Sequence, residues 1–272
     1  MAAGAAAVAA LLVGFAAADE PPEKHDADEE HRRAAEKVVS AIDVEVLVAD
    51  KWAKAKRIEK PLLYYGDPTR GNDRGSVWAW GDTGRPAAVL ELYQSVTDRT
   101  KWAYAVCNTS GGKVRATIDG RGWWRENESA SELNALPGAA VPAADAAGRR
   151  RQLKLLAPKF AGHEFWDPDN SRFELRRLDR PLHTYRDDAA GVLDGALYTL
   201  ANGTNPEILL FVEARAGKDG ADPAWQFTTG RLAHAELHLS YDGKEVFEAP
   251  RGTRLSAADK PYWLGFITTA GP

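Results

Sequence analysis

Apolar positions along this chain switch between two spacings. Ala35, Val38, Val39 and Ile42 recur at helical intervals, with Asp28 or a neighbour available as a cap. Leu153, Leu156 and Phe160 do the same further on, where Pro158 shortens or kinks the helix. Each helical stripe is followed by period-two segments. Residues 76–81 put Trp78 and Trp80 on one strand face, and Tyr198 and Leu200 occupy the matching face later in the chain. Ala88, Leu90 and Leu92 form a second such face, mirrored by Ile208, Leu210 and Val212. Turn chemistry lies between these strands at 81–84 and 202–205. Asp119-Gly120 and Asp242-Gly243 predict tight hairpins, because a two-residue type I′ turn needs positive φ.

These elements repeat in order. Lys56-Arg57-Ile58-Glu59-Lys60-Pro61-Leu62 matches Arg176-Arg177-Leu178-Asp179-Arg180-Pro181-Leu182 at a shift of 120. The same shift aligns Tyr65 with Tyr185, Asp67 with Asp187, Gly71 with Gly191, Gly75 with Gly195 and Pro86 with Pro206. After a three-residue adjustment Trp102 meets Trp225, and Asp119-Gly120 meets Asp242-Gly243. The expected architecture is therefore α+β. It comprises an internally duplicated unit, each copy a helix followed by an antiparallel β-meander, with the copies related by a pseudo-twofold axis. The units are placed at 31–130 and 149–272, joined by an Ala/Pro-rich linker at 131–148. Whether they share one sheet or pack face to face is left open by the pattern.

Ahead of the units, residues 2–18 form an Ala/Leu/Val/Phe run that ends at Asp19-Glu20-Pro21-Pro22. Ala16-Ala17-Ala18 fits a signal-peptidase site, so 1–18 reads as a signal peptide, although no Lys or Arg precedes the run. The expected location is exported, periplasmic or extracellular. Residues 19–30 hold seven acidic groups and one Lys and read as a solvated acidic spacer.

Composition narrows the function. The chain has 272 residues, 44% of them hydrophobic, with a net charge of −4. That balance argues against a nucleic-acid binder, and no stretch after the leader is apolar enough for a membrane span. One cysteine excludes an intrachain disulfide framework, and Cys107 reads as an inert core thiol. No nucleophile elbow, phosphate loop or dinucleotide fingerprint is present, and no cofactor is expected.

The candidate ligand site is the loop at 67–74, through Asp67, Arg70, Asn72, Asp73 and Arg74. Its counterpart carries Ala190, Val192 and Leu193 where the first copy has Arg70, Asn72 and Asp73, so these polar groups are not dictated by the shared backbone. Guanidinium groups there suit an anionic or sugar-like ligand. The competing reading is an Arg–Asp network that stiffens a loop.

Other constellations read as structural. Trp78, Trp80, Trp123 and Trp124 are assigned to packing rather than to a sugar platform. His234, Glu236 and His238 alternate along one expected strand face. The two histidines would lie ~13 Å apart, too far to share an ion, and no metal is expected. His163-Glu164-Phe165-Trp166-Asp167 lacks the second His of a metalloprotease helix. Asn108, Asn127 and Asn202 open short glycosylation triplets.

The run Pro61-Leu62-Leu63-Tyr64-Tyr65-Gly66-Asp67-Pro68-Thr69-Arg70-Gly71, followed by Gly75-Ser76-Val77-Trp78-Ala79-Trp80-Gly81, resembles a family of exported planctomycete proteins without assigned activity. The resemblance implies export and a bacterial source, and carries over no catalytic residue. The expected function is a non-enzymatic binding or envelope-associated module, with an unknown ligand or envelope component as partner. The alternatives are a hydrolase-like enzyme using the 67–74 loop between the repeats, and a carbohydrate-binding module using exposed Trp residues.

Overall fold

The structure is a computed structural model that describes residues 22–67, 72–94, 101–129, 132–166, 169–217, 221–252 and 257–268. The leader at 1–18 lies outside the described residues. The first half runs α1 (Pro22–Ser40), β1 (Ile42–Val48), β2 (Lys51–Ala55), β3 (Leu63–Asp67), β4 (Asn72–Trp80), β5 (Ala88–Gln94), β6 (Lys101–Asn108), β7 (Lys113–Ile118), β8 (Arg121–Glu128) and β9 (Asn134–Ala135). The second runs α2 (Ala146–Leu156), β10 (Phe160–Trp166), β11 (Ser171–Arg177), β12 (His183–Asp187), β13 (Val192–Asn202), β14 (Asn205–Arg215), β15 (Ala224–Arg231), β16 (Glu236–Tyr241), β17 (Lys244–Ala249) and β18 (Tyr262–Thr268).

The α+β expectation is corrected. Among the described residues strands make up 56% and helices 12%, with two helices, so the protein is a β-rich fold of antiparallel sheets. The physical reason lies in hairpins that carry no glycine signal. The β1–β2 turn is made by Ala49 and Asp50 at φ 46° and 63°, and the β10–β11 turn uses Asn170 at φ 54°. The β1–β2 hairpin therefore carries neither Gly nor Pro punctuation, and the β10–β11 hairpin carries no glycine.

The helices are shorter or differently placed than their apolar stripes suggest. Ala35, Val38 and Val39 are buried on α1, but Ile42 already belongs to β1. Asp28 sits inside α1 and does not cap it. Because α1 starts at Pro22, it takes in most of the segment expected to be an acidic spacer. α2 is capped by Asp145, which accepts from the Gly148 N–H at 2.8 Å, and it ends in a 3-10 turn at Pro158. The 131–148 connection is also more than a linker, since β9 pairs with β15 and Leu136 is buried in the second core.

Three apolar clusters stack in layers. In the first, α1 and the sheet β2-β1-β7-β8 pack on one face of the sheet β18-β6-β5-β4-β3, around Trp78, Trp80, Leu90, Trp102 and Trp124. In the third, α2 with β10 and β16 packs on one face of β13-β14-β15, around Leu200, Ile208, Leu210 and Phe227. The middle cluster is the seam where the other faces of these two central sheets meet, through Val77, Ala79, Val89, Leu197, Leu209 and Phe211. Strict alternation explains the layering: Trp78 and Trp80 point into the first core, and Val77 and Ala79 into the seam. Strands buried on both faces are apolar almost throughout, as β5 is.

Backbone geometry recurs between the halves. β3 pairs with β4 through Leu63–Val77 and Tyr65–Gly75, with a bulge before Asp67–Asn72. β12 pairs with β13 through His183–Leu197 and Tyr185–Gly195, with a bulge before Asp187–Val192. The last strand of each half crosses to the other. β9 adds to β15, and β18 adds along the whole length of β6.

Candidate functional site

Of the loop residues singled out in the sequence, Arg70 lies outside the described residues. Asp67 closes β3 and pairs in register with Asn72, which opens β4 together with Asp73. Arg74 is half-buried and pairs with Asp28 of α1 at 2.7 Å, a contact that ties the helix to the sheet. The edge of this loop touches the second half, where the Thr204 hydroxyl donates to the Gly66 carbonyl.

The seam between the sheets holds charge. Glu213 is fully buried and accepts from Tyr185 Oη at 2.9 Å, Arg85 Nε at 2.9 Å and Arg215 Nη1 at 2.6 Å. On the other side Tyr65 donates to buried Glu91. Burial first, and then the neighbouring carboxylates, push the Tyr65 and Tyr185 phenols well above their ordinary range. Through Arg85 and Glu213, which come from different halves, this network holds the halves together.

At one end of the seam the sheets part around a pocket of ≈340 Å³. β6 contributes Cys107, β15 contributes Thr229 and Arg231, β17 contributes Phe247, and Tyr262 comes from the crossing strand β18. Asn134, at the start of β9, is also part of the wall. The pocket thus forms where the two exchanged strands approach the seam.

Arg231 dominates its electrostatics. Its guanidinium donates to three main-chain carbonyls, those of Ala233 at 2.9 Å, Pro250 at 2.9 Å and Ala235 at 2.7 Å. The group also lies 4.8 Å from the centre of the Tyr262 ring. Among the described residues it forms no ion pair, although buried Glu207 acts on it from farther away. Burial lowers its pKa, the mark of a cation held in a poorly solvated place. A guanidinium has five N–H groups, and three carbonyl contacts leave donors to spare.

Cys107 is the most nucleophilic atom type in the wall, and burial pushes its thiol up to about 11. It stays protonated at neutral pH and is inert there. The pocket therefore has the means to bind and orient, through the Arg231 cation, the Phe247 and Tyr262 rings and apolar walls, with the Glu132 carboxylate and the Asn134 amide also in its lining. The loop expected to carry a site makes no contribution to this wall among the described residues. Compared with known families, characterised proteins and solved structures, the chain matches none.

The other candidates fall into place as structure. Trp78, Trp80 and Trp124 are buried, with the Trp78 Nε1 donating to Ser76 Oγ at 2.9 Å and the Trp124 Nε1 to the Lys260 carbonyl at 2.9 Å. Trp123 packs against Tyr104 and Trp263, its ring tilted 47° from that of Trp263, so these rings present no flat platform. Asn108 and Asn127 are buried and bonded to each other at 3.0 Å, which removes both from the glycosylation triplets. Only two of the three alternating polar residues share a strand. Glu236 and His238 lie on β16, whereas His234 precedes it and packs beside Tyr262.

Arg231 could not be found from the sequence. It is the last residue of β15, a strand buried on both faces through most of its length, and most of its neighbours in the pocket come from strands distant in the chain.

Proposed function

We propose that this chain is an exported, non-enzymatic binding module that takes a small ligand with an anionic head and an apolar body. The head sits against Arg231 and the body lies along Phe247 and Tyr262. The observation that carries this reading is a half-buried guanidinium, held by three carbonyl dipoles and the Tyr262 ring with no ion pair among the described residues, and opening on a mostly apolar pocket. A carboxylate or phosphate there would supply the charge partner that the protein does not, and charge-assisted bonds are the stronger kind. Residues 1–18 support export by their composition.

The reading includes an origin by duplication. Support comes from the equal spacing of Tyr65–Gly75 and Tyr185–Gly195, and from the crossing of β9 and β18. On this view the pocket lies at a junction that exists because two units were joined.

The test is a thermal-unfolding series with straight-chain monocarboxylates of increasing length and the alcohols of equal length. Carboxylates are expected to stabilise the protein, by about 2.7 kcal/mol at a hundredfold excess over Kd, and Arg231→Gln to abolish the effect. Equal stabilisation by alcohols, or an unchanged response in Arg231→Gln, would refute it.

A further inference from the structure

Away from the seam, the outward face of β10, β16 and β17 gathers two histidines and three glutamates. His163 on β10 is directly opposite His238 on β16, and His238 is directly opposite Glu248 on β17. The two imidazoles stack at 4.6 Å with an interplanar angle of 3°. Both nitrogens of His238 face carboxylates. Nδ1 lies 2.8 Å from Glu245 Oε2, and Nε2 lies 3.1 Å from Glu236 Oε1.

A bulge brings the glutamates together. Residues three apart on a regular strand point to opposite faces, so Glu245 and Glu248 ought to diverge. The register between β16 and β17 shifts between Leu239 and Ser240, which leaves Val246 as the extra residue. That shift turns Glu245 to the same side as Glu248, and ligand atoms of His238, Glu245 and Glu248 all lie within 4.8 Å of one another. Bulges commonly re-aim a side chain in this way.

The chemistry of the ring decides what belongs there. A neutral imidazole has one N–H, and here two carboxylates compete for it. With Nε2–H donated to Glu236, the Nδ1 lone pair confronts an anionic oxygen, and a cation must lie between them. An added proton meets that need for one carboxylate. Among the described residues, it leaves Glu248 with no ion-pair partner of its own.

We propose that His238 Nδ1, Glu245 and Glu248 form a binding site for a divalent transition-metal ion of the zinc type. In it Glu236 holds the imidazole in the required tautomer and the fourth position is open to water. Imidazole with carboxylate is a donor set suited to Zn²⁺, and a carboxylate on the second nitrogen is the usual support for a ligating histidine. Tetrahedral ligand atoms at ~2.1 Å from zinc stand ~3.4 Å apart, so the exposed glutamates close on the ion by side-chain rotation. The alternation of His234, Glu236 and His238 along the chain hides this site, because the ligands come from across the sheet.

The test is calorimetric titration of the chelator-stripped full-length protein with zinc chloride, with the visible spectrum of the cobalt-loaded form as a second readout. Wild type is expected to show a single saturable site and a tetrahedral cobalt spectrum. His238→Ala should lose both, and Glu236→Gln should weaken binding by roughly tenfold or more. His234→Ala should bind as wild type does. Glu248→Ala changes an exposed residue and keeps the test decisive if His238→Ala fails to fold. The proposal is overturned by absence of saturable binding in the wild type, or by unchanged binding in folded His238→Ala or Glu248→Ala.

Discussion

Arg85 reaches across the seam and donates from Nε to Glu213 Oε1 at 2.9 Å, with the carboxylate fully buried and the arginine nearly so. The two residues come from different halves of the chain. Removing one member of a buried pair strands the other, so Arg85→Met is expected to cost about 3 kcal/mol. That is the low end of the usual range, because Glu213 keeps Arg215 and Tyr185. Urea unfolding gives the number, and a loss under about 0.5 kcal/mol, the scale of ordinary surface changes, would show that the pair does not join the halves.

Gly75 and Gly195 lie beneath the rings of Tyr65 and Tyr185, which occupy the space a Cβ would need. Gly75→Ala and Gly195→Ala should each destabilise by about 1–3 kcal/mol through forced displacement of the ring. Removing the ring from beneath the same substitution, as in Tyr65→Ala with Gly75→Ala, should make the combined loss smaller than the sum. Strict additivity in denaturant titrations would contradict the packing account.

Alkali should unfold this protein early. The Cys107 thiol is raised by burial from about 9 to about 11, so the unfolded chain loses its proton first as pH climbs. Stability contributed by the protonated thiol is complete below pH 9 and falls away between pH 9 and 11. Tyr65, Tyr185 and Tyr262 are raised chiefly by burial too, and act in the same direction. Cys107→Ala should flatten the slope in that window, and phenolate absorbance should show these three rings ionising only as the protein unfolds.

A weaker dependence is expected on the acid side. Burial lowers the pKa of His183, whose ring stacks on Tyr185 at 6.0 Å. A depressed histidine favours the fold above its unfolded value near 6.5, and the contribution is lost as pH falls through the folded value. His183→Phe should reduce the loss of Tm between neutral and mildly acidic pH. An identical pH profile for the variant would rule His183 out as its source.

What the sequence made legible were the elements with local chemistry. Gly81, Gly84, Gly120, Gly203 and Gly243 all have positive φ, at the turns where their neighbours announced them. The α1 stripe and the inward faces of β4, β5, β13 and β14 were readable from spacing. The hairpins at Ala49-Asp50 and Asn170 were not, because residues other than glycine adopt the left-handed region there. The α+β expectation failed at those hairpins. The sites were hidden for a different reason. Arg231 meets Tyr262 and Cys107 across strands, and His238 meets Glu248 across a sheet. Such neighbours leave no spacing to read.

The exchange of β9 and β18 has a mechanical consequence. A protease that nicked the chain at the exposed Gly138 would sever it without releasing either piece, because each fragment would still grip its neighbour by a hydrogen-bonded strand. The molecule is clasped like two hooked hands, and it would survive such a wound as a non-covalent whole.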